Sequence, residues 1–302
     1  MNFLHTYRLA ILLVLSSSMM AYASSARTYI SVSGSDGNTG TGCTLAAPCR
    51  SFGAALSVTM PFGDVVAVDS GDYAPVTISQ SVTLQSAPGV AATIVSPTGN
   101  AITITAGGGD IVVLRRLSMN GVNMGPTGIR FTAGKVLSIE NCSIVNFMSN
   151  GISMEAGGVL NIKDTEVQNT VTAIRLQSSS GMVHAAIDRV HLEHNIFGLF
   201  VAANSQATIR NSFLSDNGND GMQVGDTSGS SELNVEDCVV QGSNTGIFAG
   251  GAAAIVRVSH STIVDNSTGL SSAGGAPLLT YGNNSVAGNG TNGSFTGSVP
   301  LQ

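Results

Sequence analysis

The chain repeats itself, and the repeat decides what it can fold into. Eight segments, LRRLSM, IENCSI, IKDTEV, IDRVHL, IRNSFL, VEDCVV, VSHSTI and YGNNSV, align on one column. That column reads Arg116, Asn141, Asp164, Arg189, Asn211, Asp237, His260 and Asn283, at intervals of 22 to 26 residues. A second column, usually glycine, keeps step with it: Ala101, Gly128, Gly151, Ala173, Gly198, Gly221, Gly246 and Gly269. Two columns in step mean one structural unit per repeat, each needing its neighbours to bury its apolar face.

Each unit holds three short runs of period two, as in VLSIE, CSIVN and GISMEA, and no helix of ordinary length fits between them. Strands that recur in the same direction at this spacing must pair in parallel with the next unit. The expected fold is an all-β, right-handed parallel β-helix of about ten three-strand coils. At about 4.8 Å per rung it would be a rod near 48 Å long. Leucine-rich repeats have a similar period, but their fixed leucine and asparagine spacing is missing.

Alternation within the runs assigns the interior. One inward column is Val112, Leu137, Leu160, Ala185, Ala207, Leu233, Val256 and Leu279; a second is Met119, Ile144, Val167, Leu192, Leu214, Val240, Ile263 and Val286. The third strand contributes Ile129, Ile152, Ile174, Leu199, Met222, Ile247 and Leu270. Outward, just before the asparagine-like column, Arg115, Glu140, Lys163, Asp188, Arg210 and Glu236 alternate in sign at every step. A slip of one coil would bring like charges together, so this series reads as a register device.

The ends need covers, because an open solenoid exposes apolar side chains and strand edges. Between Cys49 and the first expected strand, Phe52, Ala55, Leu56 and Thr59 recur at helical spacing, which predicts a short amphipathic capping helix. The chain then divides into residues 24–63 as N-terminal cap, 64–290 as β-helix and 291–302 as a tail that frays or folds over the last rung. Residues 1–23 read as a signal peptide: His5 and Arg8 precede the apolar run Leu9 to Leu15, and Ala21 and Ala23 form a small-residue cleavage site. Cleavage is expected after Ala23, with Ala26 as second choice, giving a secreted or periplasmic protein without a membrane span.

Four cysteines in an exported chain invite two disulfides. Cys43 and Cys49 bracket a short turn and are expected to pair. Cys142 and Cys238 occupy the same inward position four coils apart, about 19 Å, beyond the reach of a disulfide. They are expected to be buried free thiols.

Composition excludes whole classes of function. Charged residues make up 10% of the chain, tryptophan is absent, and the net charge of −6 becomes −7 once Arg8 is removed. A nucleic-acid binder needs clustered Lys and Arg, and only two lysines, Lys135 and Lys163, are present.

The opening YISVSGSDGNTGTGCTLAAPCRSFGAAL, the segment GDVVAVDSGDY and coils such as NGISMEAGG resemble secreted bacterial right-handed parallel β-helix proteins of the pectate lyase superfamily. The resemblance covers nearly the whole mature chain. It implies the fold more than an activity, since the superfamily includes lyases, hydrolases, epimerases and phage tailspikes. The strings that its polygalacturonase branch would carry (Asn-Thr-Asp, Asp-Asp, Gly-His-Gly) do not occur here, nor does the Asp-Pro-His-Asp of alginate epimerases. A lyase of this fold would use acidic calcium ligands and an Arg or Lys base from adjacent coils; otherwise no cofactor is expected.

The residues that could serve a ligand lie on the outward column of the third strand: Arg130, Ser153, Arg175, Phe200, Gln223, Phe248 and Ser271. Arg130 and Arg175, about 10 Å apart, followed by Phe200 and Phe248, could line a groove for an acidic glycan. His184, His191 and His194 invite a zinc site, but the register puts His194 in a turn. The segment SDNGNDG lacks an oxygen ligand at Gly218 that a calcium loop requires. No catalytic residue is assigned. The reading favours an exported scaffold that binds a polysaccharide or cell-surface glycan without catalysis. A lyase-type enzyme acting on acidic glycans and a structural or adhesive module are the alternatives.

Overall fold

The computed structural model describes residues 24–225 and 229–300. Its strands form one continuous set of parallel ladders wound into a β-solenoid of about ten turns. The expected signal segment lies outside the described residues.

The stack begins earlier than Asp64. Strand β1 (Ser25–Ile30) already pairs in parallel with β2 (Thr59–Ala67), Tyr29 opposite Val66. Between them, helix α1 (Phe52–Ser57) lies across the open end, its first turn capped by the Ser51 side chain, which accepts from the Ala54 N–H. Phe52 and Ala55 are fully buried, Leu56 packs partly against the core, and the Phe52 ring meets Tyr73 at 5.6 Å. Thr59 starts the strand instead of continuing the helical face, and its hydroxyl sits 2.8 Å from that of Thr28. The Cys43–Cys49 disulfide closes the loop ahead of the helix.

Within the coils, Leu137 pairs with Val112 and Leu160, Ile144 with Met119 and Val167, and Ile152 with Ile129 and Ile174, so the three inward columns stack like on like. Nearly all these side chains are fully buried. The glycine column has a packing cause. A Cβ at Gly151 would fall 2.3 Å from the Val167 methyl of the next coil, and one at Gly221 2.5 Å from that of Val240. Only a bare backbone lets the second-strand residue of the adjacent coil approach so closely.

The asparagine-like column is a bend. Arg116, Asn141, Asp164, Arg189, Asn211, Asp237 and His260 all have left-handed backbone, φ 47 to 53°. Asn, Asp and His tolerate this conformation best among non-glycine residues. The two arginines are compensated elsewhere: Arg116 donates to the Ser86 carbonyl at 3.0 Å and to Gln85 at 2.8 Å, while Arg189 clamps Asp164 and Asp188. A second left-handed column, Asn146, Asn169, His194, Asp216 and Asp265, turns the chain into the third strand.

Each bend is backed by an internal polar ladder. Behind the first, the Thr165, Ser212 and Ser261 hydroxyls accept from the N–H of Cys142, Val190 and Cys238 respectively, one coil away, and donate to the carbonyl two residues back. Behind the second runs an asparagine ladder. Asn195 accepts from the Thr170 N–H, Asn217 from Asn195, Asn266 from Ser243 and Asn289 from Asn266, at 3.0 to 3.2 Å. Sharp bends leave N–H groups that no strand can pair, and the amides satisfy them inside the core.

The last coil departs from the expected register by one residue. Leu278, not Leu279, pairs with Val256 and is buried, and Gly282 takes the left-handed position expected for Asn283. The turn GNN is one residue longer than its predecessors, and Asn283 and Asn284 accept from the N–H groups of His260 and Ser261 through their side chains. The tail folds over the end: Gly297–Ser298 pairs with Leu278–Thr280, and Phe295 packs on the core.

Candidate functional site

The outward column of the third strand is in the register expected. Arg130 pairs with Ser153, Ser153 with Arg175, Arg175 with Phe200, Phe200 with Gln223, Gln223 with Phe248 and Phe248 with Ser271. Arg130, Arg175, Phe200 and Phe248 therefore stand on one face of the rod. The interior fixes them, because the alternate residues Ile129, Ile174, Leu199 and Ile247 are fully buried.

The two arginines differ in what holds them. Arg130 makes a bidentate pair with Glu155, 2.9 Å from Nε to Oε1 and 2.7 Å from Nη2 to Oε2. That pairing keeps the Glu155 carboxyl below its usual range, opposed by partial burial and helped by the charge of Arg175. It also raises the guanidinium of Arg130 above its ordinary value. Arg175 donates instead to the neutral Gln177 side chain. Beside Arg175 opens a hollow of about 500 Å³, bordered by Glu155, Gln177, Ser178 and Asn204. Farther along, the Phe200 ring leans on Phe197 at 6.4 Å, and the Phe248 ring folds over Gly250. Glu155 and Phe197 were missed from sequence. The first is two residues beyond Ser153, just past the end of the strand, on the same side as Ser153 and diagonal to Arg130 of the adjacent coil.

The remaining candidates disperse. His184 faces outward on the first strand; His191 stands on the second, its Nδ1 3.4 Å from Glu193; His194 is a left-handed bend residue. Among the described residues, no three His, Cys, Asp or Glu side chains gather as a metal cluster. The SDNGNDG segment is divided between a bend residue, Asp216, the ladder residue Asn217 and the buried Asp220. Burial raises the Asp220 carboxyl above its ordinary value, against a hydrogen bond with the Thr245 side chain that lowers it.

The charge series behaves as a ladder only in part. Arg115 meets Glu140 at 2.8 Å and Arg210 meets Asp188 at 3.3 Å. Arg189 enters from the bend column and takes a share of Asp188, and among the described residues Lys163 and Glu236 make no ion pair within 4 Å. Cys142 and Cys238 are free and buried. Desolvation pushes their thiols up to about 11 and about 12. No described helix is long and apolar enough to cross a membrane.

Three solved structures share this architecture. A pectate lyase, Pel9A, superposes with TM-score 0.54 at 12% identity, over 89% of this chain and 72% of its own. An alginate lyase from Paenibacillus sp. str. FPU-7 gives 0.58 at 15% identity, over 88% and 97%. XylC, solved in complex with xylose, gives 0.58 at 10% identity, over 91% and 72%. At such identities the likeness establishes the fold alone. No curated protein matches the chain in sequence. The family described as "Right handed beta helix region" matches residues 127–290, more than half of the chain, and to that family the protein belongs.

Proposed function

We propose that the protein is an exported β-helix scaffold that binds an acidic glycan on the third-strand face without cleaving it. The observation that carries this reading is the single outward column on which Arg175, with its hollow, is followed in register by Phe200 and Phe248. Among the described residues Arg175 makes no ion pair within 4 Å, and it supplies a cation suited to a uronate carboxylate. The phenyl rings supply apolar surface for the faces of sugar rings. Arg130 plays a lesser part, because Glu155 already neutralises it.

The same pairing speaks against Arg130 as a proton-abstracting base. A lyase needs a base, and Glu155 raises the Arg130 guanidinium further from the neutral form a base would require. Export is supported by the disulfide, which persists in oxidising compartments. Polygalacturonate and alginate, offered separately to the protein, test the reading. Retention on at least one, with no unsaturated product absorbing near the ultraviolet edge even when calcium is added, is the expected result. Unsaturated product would make the protein a lyase, and retention on neither polymer would end the proposal.

A further inference from the structure

A second face of the rod carries a differently built hollow. On the first strand, the outward column Arg115, Glu140, Lys163, Asp188, Arg210 and Glu236 presents a long or charged side chain at every coil. The next coil places Ser259 opposite Glu236. The coil after that pairs Thr280 with Val258, which sets Tyr281 beside Ser259. One short side chain between a glutamate and a tyrosine opens a hollow of about 310 Å³. The extra residue in the GNN turn contributes to its wall, where Asn283 lies 3.1 Å from the His260 ring and accepts from the His260 N–H.

The hollow continues along the rod. It shares Thr208 and Asn234 with a neighbouring hollow of about 300 Å³, whose floor is lowered by Ala186. Together they make a shallow trough parallel to the solenoid axis, running from Asn161 to Tyr281. Its polar groups are held in place: Arg257 is bound by Glu232 and reaches Asn234 at 3.4 Å.

The charge of the trough selects its occupant. The cation, Arg257, is offset by Glu232, whereas Glu236 makes no ion pair within 4 Å among the described residues. An acidic chain would be repelled there, and an uncharged one would not. Tyr281 offers a flat apolar face with a polar edge, and the amides, carboxylate and guanidinium around Ser259 are the donors and acceptors that hydroxyl-rich ligands need. We infer that this trough is a second binding site, for a neutral glycan, with one sugar unit seated over Ser259 against Tyr281. The rod would then hold two chemically different polysaccharides on separate faces.

Affinity electrophoresis of the mature chain through gels containing hydroxyethylcellulose, arabinoxylan or galactomannan tests this. At least one of these neutral polymers should retard the wild-type protein. Tyr281→Ala, which removes the platform, and Ser259→Arg, which fills the hollow, should each weaken retardation about tenfold. Arg175→Ala should leave it intact, which separates this site from the acidic-glycan face. Both weakening substitutions are at half-buried positions, and unchanged melting temperatures would confirm that the variants fold. No retardation of the wild type by any of the three polymers, or undiminished retardation of either Tyr281→Ala or Ser259→Arg, overturns the inference.

Discussion

Cys142 and Cys238 occupy one inward position four coils apart, too far for a disulfide to join them, and both are buried free thiols. Their sulfurs lie 3.4 and 3.2 Å from the carbonyls two residues back, the place that the Ser212 and Ser261 hydroxyls fill in neighbouring coils. Cys238→Ser should therefore change stability by less than about 1 kcal/mol. With their thiols shifted up, both cysteines should resist alkylation in the native protein and react only after unfolding. The asparagine ladder was not read, although Asn195, Asn217, Asn266 and Asn289 each follow a bend residue. Asparagine in a turn has an ordinary local explanation, and only the fold reveals that these amides point inward. Asn217→Ala should cost about 3 kcal/mol in chemical denaturation, since it strands the Asn195 N–H and the Leu192 carbonyl in the core. Asp220 gives the opposite sign. Its raised carboxyl means that the folded state binds the proton more readily, so stability falls as pH rises from the ordinary carboxylate range through the raised value. Asp220→Asn should melt higher than wild type at pH 7, with the advantage vanishing below about pH 4.

At the level of elements, strand existence, inward columns and most of the register followed from alternation and period. Bend conformation explains why the aligned column is rich in Asn and Asp, and why Arg116 and Arg189 need carbonyl or carboxylate partners. The final coil was misregistered because Asn283 fits the column chemically, while Gly282 fits the left-handed bend sterically and takes it. The alternating charges confer register where side chains meet. Glu140→Lys would place three cations in succession, at Arg115, 140 and Lys163. A loss of about 1 kcal/mol is expected, shrinking in high salt; a loss independent of salt would assign the effect to packing. The position of the phenylalanine and arginine column was legible from the repeat alone. The pairing of Arg130 with Glu155 was not, because it is a diagonal contact with the residue just past the end of the next strand, whereas the columns compare only residues directly opposite.

For the whole molecule, one continuous core runs the length of the rod, closed at the start by α1 and its disulfide and at the end by Phe295. Reducing Cys43–Cys49 should lower stability by about 2 kcal/mol, read as a lower melting temperature in reductant. The chemistry proposed for this rod belongs to its faces rather than to its fold, and binding of an acidic glycan on the third-strand face depends on Arg175. The decisive experiment is titration calorimetry of a galacturonate or mannuronate hexamer into the mature protein and into Arg175→Ala. Saturable binding to the wild type, about tenfold weaker in the variant at equal melting temperature, is expected. Equal affinity in both proteins, or no heat with either oligomer, would contradict it.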